Sequence, residues 1–337
     1  MRKLGSVFLI MILLLMTGCG GGTSTSNESE KEGKDKKNTA FSLGVATWVG
    51  YAPLYIAQEK GIFEKNGIDV DLMKMESNTD RRTALAAKRI QGFASTVDTH
   101  VVSAASDVPG VQVVALDESY GGDGIVAKKE IKSLKDLKGK RVAVQTDGGA
   151  SFFWFLYLLK QEGMDFNKDI KAQNMTAGDA GAAFIANKVD AAVTWEPWLT
   201  KAKQTDFGSV LATSDISPGV ITSTIAMHQD FIKENPEAVK ALVKSWFEAV
   251  EYYKTNKEDA LEIMGKAMGQ SPAELEESLQ GVRFYDEQKN KEYFGTKEKP
   301  GQIYELSKMG SEFWKEQDLI QKEPNLDELI DYSFVQQ

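Results

Sequence analysis

The sequence predicts an α/β protein with two domains, and three observations support this fold class. Segments with the two-residue period of a strand alternate with segments of helical period over residues 41–227. Such alternation is typical of parallel sheets whose faces are covered by helices. Residues 41–337 also exceed what one hydrophobic core usually serves, since a domain takes about 100 to 200 residues. From Pro236 onward the pattern is mostly helical.

The first 18 residues form a separate segment that indicates export. A basic start precedes an apolar run over residues 7–16, which has the length of a signal-peptide core and is too short to span a bilayer as a helix. Cys19, the only cysteine, follows Gly18 in a setting that resembles the bacterial lipobox, although Met16 stands where Leu, Val or Ile is usual. We expect residues 1–18 to be a signal peptide and Cys19 to carry lipid such as palmitate. The alternative is an ordinary signal peptide beside a chance cysteine.

The segment after Cys19 has the composition of a flexible tether. Residues 20–39 contain no Val, Ile, Leu, Met, Phe, Trp or Tyr, so they cannot bury enough apolar surface to offset the entropy lost on ordering. We therefore expect residues 19–40 to be a lipidated cysteine and tether. No later apolar run approaches the ~20 residues of a membrane span, so the lipid is the expected anchor, on the extracytoplasmic face of the cell membrane.

Charge and motif content exclude several functions. A net charge of −9 makes the chain a poor candidate for nucleic acid, whose phosphates require a basic surface. His100 and His228 lie far apart, and neither belongs to a His-Glu-x-x-His motif. The sequence also lacks a Gly-x-x-x-x-Gly-Lys phosphate loop and a Gly-x-Ser-x-Gly elbow. We therefore expect no metal, no cofactor and no enzyme activity.

The first elements follow each other in the order strand, helix, strand, helix. Alternation of apolar and small residues predicts a first strand over residues 41–45. A helix is predicted over residues 52–60, with Gly61 as its C-terminal cap. A second strand over residues 68–72 and a helix over residues 79–90 complete this part.

The predicted alternation of strands and helices continues to residue 227, and helices predominate after it. Further strands are predicted at residues 111–116, 124–127, 141–145, 191–193 and 222–227, and helices at residues 150–162, 180–187 and 300–317. Ser271 and Glu274 form a capping box with Pro272 at the first helical position, which predicts another helix start.

Three stretches, at residues 52–70, 131–144 and 187–197, have an order and spacing that point to one family. Together they resemble the substrate-binding proteins of ABC importers, in the group that binds taurine, aliphatic sulfonates, nitrate and thiamine-pyrimidine precursors. The resemblance covers about residues 41–320.

The resemblance implies a two-lobed periplasmic-binding-protein fold of type II, with a largely parallel sheet flanked by helices in each lobe and a helical C-terminal tail. The first lobe is then expected at residues 41–127 plus 224–337 and the second at residues 128–223. A monomer is implied, which holds a small solute between its lobes and delivers it to an ABC permease driven by an ATPase.

Ligands of open α/β sheets gather beyond the carboxyl ends of the strands. That rule, applied to the predicted strands, selects the candidate contact residues Trp48, Tyr51, Asp80, Thr96, Asp98, Glu118, Asp147, Ser151, Trp195 and Glu196. The alternative for Trp195 is that it is an aromatic residue of the protein interior. The alternative for Asp98 and Asp147 is that they are helix caps or turn residues. Glu196 stands between two tryptophans and has no evident packing role.

The candidate residues favour a ligand with two kinds of group. Helix starts at residues 52–53 and 148–151 suit an anionic head such as sulfonate or nitrate. Carboxylates beside tryptophans suit an ammonium or guanidinium group. We therefore predict a small solute that contains nitrogen or sulfur and is zwitterionic or cationic at one end. A thiamine-pyrimidine precursor is the alternative, and an enzyme of pyrimidine synthesis on a related fold is a more distant one.

Overall fold

A computed structural model describes residues 38–336 of the chain. The strands, in chain order, are β1 (Thr39–Val45), β2 (Ile68–Lys74), β3 (Gly92–Thr96), β4 (Gly110–Ser119), β5 (Asp123–Lys128), β6 (Arg141–Val144), β7 (Lys171–Asn174), β8 (Ala191–Trp195), β9 (Gly208–Thr213), β10 (Thr222–His228) and β11 (Val282–Phe284). The predicted signal peptide, Cys19 and most of the predicted tether lie outside the described residues. Strand β1 begins at Thr39, so the last two residues assigned to the tether belong to the sheet.

Helices alternate with these strands as far as β10 and then dominate. They are α1 (Pro53–Glu59), α2 (Ile62–Lys65), α3 (Asn78–Ala86), α4 (Val97–Ala105), α5 (Ala150–Gln161), α6 (Phe166–Asp169), α7 (Ala177–Ile185), α8 (Trp198–Lys203), α9 (Gln229–Glu234), α10 (Pro236–Thr255), α11 (Lys257–Met268), α12 (Pro272–Leu279), α13 (Glu287–Phe294), α14 (Gln302–Glu316) and α15 (Leu326–Leu329). The predicted capping box of Ser271 and Glu274 starts α12. Within residues 38–336, none of the helices combines the length and the apolar character needed to cross a membrane.

The strands form two sheets. One has six strands in the order β11-β4-β10-β3-β1-β2, and the other has five in the order β7-β6-β8-β5-β9. Strand β1 is parallel to β2 and β3, and β6 is parallel to β7 and β8. Strands β4, β5, β9, β10 and β11 pair antiparallel with their neighbours. The predicted α/β fold with two sheets is confirmed, and the sheets are mixed because chain segments that cross between them run against the parallel strands.

At one edge of each sheet, the last residues of parallel strands lie beside the first residues of antiparallel strands. In the six-stranded sheet, Thr96 at the end of β3 pairs with Ser223 at the start of β10, which in turn pairs with Asp117 of β4. In the five-stranded sheet, Trp195 at the end of β8 pairs with Asp123 at the start of β5. Residues that begin antiparallel strands therefore stand beside the carboxyl ends of parallel strands.

The chain passes between the sheets twice, after β4 and after β9. The two passages contact each other: the hydroxyls of Ser119 and Ser214 lie 2.9 Å apart, and Gly121 donates its N–H to Ser214 at 2.8 Å. Strand β5 lies in the five-stranded sheet, although the predicted boundary places most of it in the first lobe. The exact lobe boundaries stay a prediction.

Helix α5, which follows β6, packs against α14 through aromatic side chains. Phe152 stacks on Trp314 of α14 with ring centroids 5.9 Å apart, and Phe153 meets the Phe313 ring edge-on at 4.8 Å. Trp314 is fully buried. Because the first turn of α5 reaches the cavity described below, this packing fixes the position of that turn.

Candidate ligand-binding site

A cavity lies between the two sheets at the edge where their strand ends meet. About 40 Å³ is open to the centres of water molecules, and about 10–15 Å³ suffices for one water. The size therefore suits a solute of few atoms. The lining residues are Ala46, Trp48, Tyr51, Asn78, Arg81, Ser95, Thr96, Thr99, Asp123, Gln145, Gly148, Gly149, Ala150, Ser151, Phe152, Trp195, Ile221 and Ser223.

The six-stranded sheet contributes an aromatic wall. Trp48 ends the loop after β1 and precedes a short 3₁₀ turn, Val49–Tyr51, that carries Tyr51. The Trp48 indole donates its N–H to Asp117 at 2.9 Å. Burial and the Asp117 carboxylate raise the pKa of the Tyr51 hydroxyl, so Tyr51 offers a neutral hydroxyl to the cavity.

The five-stranded sheet contributes the first turn of α5. Gly148 and Gly149 precede it with φ of 94° and 114°, a region that favours glycine. A Cβ at Gly149 would lie 2.8 Å from the amide nitrogen of Asn78, which donates to the Gly148 carbonyl at 3.0 Å. Within residues 38–336, the N–H groups of Ala150 and Ser151 donate to no protein acceptor. They are the free donors expected at a helix start, where the helix dipole favours negative charge.

Arg81 supplies the positive charge of the cavity wall. It is 2% exposed, and its guanidinium donates to the backbone carbonyls of Met75 and Glu76 and to the side-chain oxygen of Asn78. Burial lowers the pKa of Arg81, yet an arginine remains protonated at neutral pH. A buried guanidinium with neutral partners leaves a positive field in the cavity.

Asp123 supplies a carboxylate at the same cavity. It is 3% exposed, and the Ser151 hydroxyl donates to its Oδ1 at 2.6 Å. Burial raises the pKa of Asp123 to about 6, against the opposing hydrogen bonds from Ser151 and Ser119. Among the residues that the structure describes, neither Asp123 nor Arg81 forms an ion pair. The cavity thus has two charged groups of opposite sign that do not neutralise each other.

Hydrogen bonds between the two sheets close the cavity. Trp195 donates its indole N–H to the backbone carbonyl of Thr47 at 3.1 Å. On another side, the Thr79 hydroxyl donates to the Asp147 carboxylate at 2.7 Å, and Arg82 donates to the Asp147 carbonyl at 3.2 Å. These bonds join α3 and the loop after β1 to the end of β8 and to the loop after β6, so they bridge the two sheets across the cavity, as expected of a closed cleft.

Half of the ten predicted contact residues line the cavity, and half do not. Those that line it are Trp48, Tyr51, Thr96, Ser151 and Trp195. Those outside the lining are Asp80, Asp98, Glu118, Asp147 and Glu196. Whether the first five contact a ligand stays a prediction.

The acidic residues outside the lining lie in different surroundings. Asp80 is exposed in the first turn of α3. Glu118 accepts the N–H of Gly219 at 2.8 Å in the passage between the sheets. Asp98 is 3% exposed, and burial raises its pKa to about 6 although the Thr96 hydroxyl lowers it. Glu118 therefore has a structural partner, Asp80 is exposed, and Asp98 is buried outside the cavity lining.

Glu196, the predicted main contact, caps a helix. It accepts the N–H of Thr200 at 2.9 Å and the Thr200 hydroxyl at 3.0 Å, at the start of α8. Glu196 is 4% exposed, and burial raises the pKa of its carboxyl. Glu196 thus holds the first turn of α8 and lies outside the cavity lining, and a ligand contact at this residue stays a prediction.

Several lining residues were absent from the predicted set, among them Asp123, Ser223 and Arg81. Asp123 is the first residue of β5 and Ser223 the second of β10, and the rule used for prediction considered only residues that follow a strand. Arg81 follows β2 as the rule requires, but its helical position gave no sign of which side of α3 is buried. In the described part of the chain, no three His, Cys, Asp or Glu side chains are grouped to hold a metal ion.

Comparison with known proteins assigns this arrangement to a family. A model of the NMT1-like family matches residues 34–267, which is more than half of the chain. The chain belongs to the NMT1-like family.

Similar proteins agree with this NMT1-like assignment. A binding protein of Brucella abortus is 28% identical over 236 residues, which cover 69% of this chain and 72% of that protein. The nitrate/nitrite binding protein NrtA of Nostoc sp. is 26% identical over 287 residues, which cover 77% of this chain and 64% of that protein. The crystal structure of the periplasmic aliphatic sulphonate binding protein SsuA from Escherichia coli has a TM-score of 0.71 at 20% identity, over 89% of this chain and 99% of that chain. The chain thus shares its fold and much of its length with proteins that are named as binding proteins.

Proposed function

We propose that this protein is the extracytoplasmic solute-binding lipoprotein of an ABC importer. It captures a small solute that carries an anionic group and an ammonium or similar cationic group, as taurine does. The solute is held between the two lobes, divided near residues 127 and 223, and is delivered to a membrane permease driven by an ATPase.

The observation that carries this proposal is the pair of unneutralised charges at one small cavity. Arg81 and the free N–H groups of Ala150 and Ser151 suit the anionic end of a solute. Asp123 suits the cationic end, since burial makes its charge costly until a partner arrives. A zwitterion satisfies both ends at once, whereas nitrate or a simple sulfonate leaves Asp123 without a partner.

Aromatic side chains support a short apolar middle in the ligand. Trp48 and Trp195 meet edge-on, with ring centroids 6.4 Å apart and planes at 71°. Tyr51 and Phe152 add to the same lining. The apolar surface that these rings give to the lining suits a short methylene chain.

The leader sequence supports the proposed location. Cys19 in its lipobox-like setting and the polar tract over residues 20–38 suit a lipid anchor followed by a tether on the extracytoplasmic side. An anchored binder of this kind stays close to its permease while remaining free to dock and leave.

A ligand screen tests the proposal. The purified protein is heated with taurine, ethanesulfonate, nitrate or an aminopyrimidine, and unfolding is followed by fluorescence. A solute at a thousand times its dissociation constant adds about 4 kcal/mol to the free energy of unfolding. We expect taurine to stabilise most. Stabilisation by the aminopyrimidine alone, or by none of a wide solute panel, contradicts the proposal.

An enzyme on the same fold is distinguished by the fate of the ligand. A binding protein returns its solute unchanged, so mass spectrometry after long incubation should recover the stabilising solute intact. A stoichiometric loss of the solute with appearance of a product contradicts the transport function.

A further inference from the structure

Asp117 lies directly behind the wall of the cavity without lining it. Its side chain is fully buried, and its Oδ1 accepts hydrogen bonds from the Trp48 indole at 2.9 Å and from the Ser223 hydroxyl at 3.3 Å. Both partners line the cavity, and Asp117 does not. One buried carboxyl therefore holds two groups of the lining from the side away from the ligand.

Two glycines show how closely this indole is held. A Cβ at Gly50 would lie 2.2 Å from Nε1 of Trp48 and 2.5 Å from Cγ of Asp117. A Cβ at Gly122 would lie 2.6 Å from Cη2 of the same indole. A side chain at either glycine would have to displace the indole or its neighbours, so the Trp48 ring is closely packed at its pyrrole end and at its benzene end.

We propose that Asp117 is a positioning residue for ligand binding: it fixes the orientation of the Trp48 indole, and affinity depends on it although it does not touch the ligand. The inference rests on the proposed function in one respect only, namely that a solute occupies the cavity. The orientation of Trp48 itself is a property of the free protein.

The burial of Asp117 is costly, which indicates that the hydrogen bonds matter. Among the described residues its Oδ2 has no hydrogen-bond partner, and an unpaired buried polar atom destabilises a fold. An apolar residue of the same size would avoid that cost but would release the indole N–H. Oδ2 of Asp117 thus stays without a hydrogen-bond partner while Oδ1 orients the Trp48 indole.

The first test needs no ligand. In ¹⁵N-labelled full chain, the indole N–H signal of Trp48 is assigned by its loss in Trp48→Phe. We expect this hydrogen to exchange with D₂O at least a hundred times more slowly than that of Trp198, which lies outside the cavity lining. Asp117→Asn, which keeps an acceptor oxygen, should preserve the slow exchange, and Asp117→Leu should abolish it. Fast exchange in the wild type overturns the proposal even if Asp117→Leu does not fold.

The second test is a double-mutant cycle with taurine as the probe. We expect Asp117→Leu to weaken taurine binding about tenfold in the wild-type background and less than twofold in Trp48→Phe, because it acts through that indole. Equal losses in both backgrounds overturn the proposal. If taurine binds no variant and not the wild type, the proposed function fails, and hydrogen exchange alone then decides the role of Asp117.

Discussion

Trp195 donates its indole N–H to the backbone carbonyl of Thr47 at 3.1 Å, and this bond joins the end of β8 to the loop after β1. The same ring meets Trp48 edge-on, and both residues line the cavity. Contacts that exist only in the closed arrangement are the ones that let a ligand shift the balance between open and closed forms. Trp195 is therefore expected to act in closure as well as in lining the cavity.

Trp195→Phe separates these two roles, since it keeps a ring and removes the donor. A hydrogen bond contributes about 1 kcal/mol, and tenfold in affinity corresponds to about 1.4 kcal/mol, so we expect taurine binding to weaken about fivefold. Isothermal titration calorimetry measures the change. Trp198→Phe is the matched control and should leave affinity unchanged, because Trp198 is outside the lining. Equal effects of the two substitutions contradict the assigned role of Trp195.

Thr79 and Asp147 form a second closure contact that is tested in the same way. Thr79→Val keeps the shape of the side chain and removes the 2.7 Å bond to Asp147. We expect affinity to fall about threefold, with a faster dissociation rate in stopped-flow fluorescence, because an exposed hydrogen bond contributes about 0.5–1 kcal/mol. Thr83→Val, on the same helix but exposed, is the control. A slower association rate with unchanged dissociation argues against a closure contact.

Glu196→Ala should affect stability and spare binding. The carboxyl caps α8 through Thr200, and loss of a helix cap costs about 1 kcal/mol. Thermal unfolding should show that loss, and Glu196→Gln should recover part of it because one acceptor oxygen remains. Taurine affinity should stay within twofold of wild type. A tenfold loss of affinity in both variants restores Glu196 as a ligand contact.

The pH dependence of stability tests the burial of Asp117. Burial raises its pKa from 3.8 to about 7, so between these values the folded protein holds a proton that the unfolded chain has released. The stabilising contribution is complete below about pH 3.8 and is lost as the pH rises through about 7. From pH 5 to pH 8, wild type should therefore lose on the order of 2 kcal/mol relative to Asp117→Asn, which does not titrate. Denaturant unfolding at both pH values measures the difference, and parallel profiles contradict it.

Sequence patterns located the elements that have strong periodicity or caps. The helix over residues 300–317 appears as α14, and the capping box at Ser271 starts α12. Strand β7 was missed because its residues are all exposed at a sheet edge, so no apolar alternation marks it. Edge strands lack the signal on which such predictions depend.

The candidate site was half predicted, and the omissions have a common cause. The rule that ligands lie beyond carboxyl ends of strands holds for parallel strands, and it found Trp48, Ser151 and Trp195. Asp123 and Ser223 were missed because β5 and β10 run the other way and place their first residues at the same edge. Strand direction depends on how the chain crosses between lobes, which local sequence does not encode.

The most direct test of the central claim compares taurine with ethanesulfonate in wild type and Asp123→Asn by calorimetry at pH 8, where the Asp123 carboxyl is ionised. Wild type should prefer taurine, since only taurine has an ammonium group to meet the carboxylate. Asp123→Asn should weaken taurine binding at least tenfold and change ethanesulfonate binding less than twofold. Equal losses for both solutes, or tighter binding of ethanesulfonate by the wild type, contradict a site built for a zwitterion.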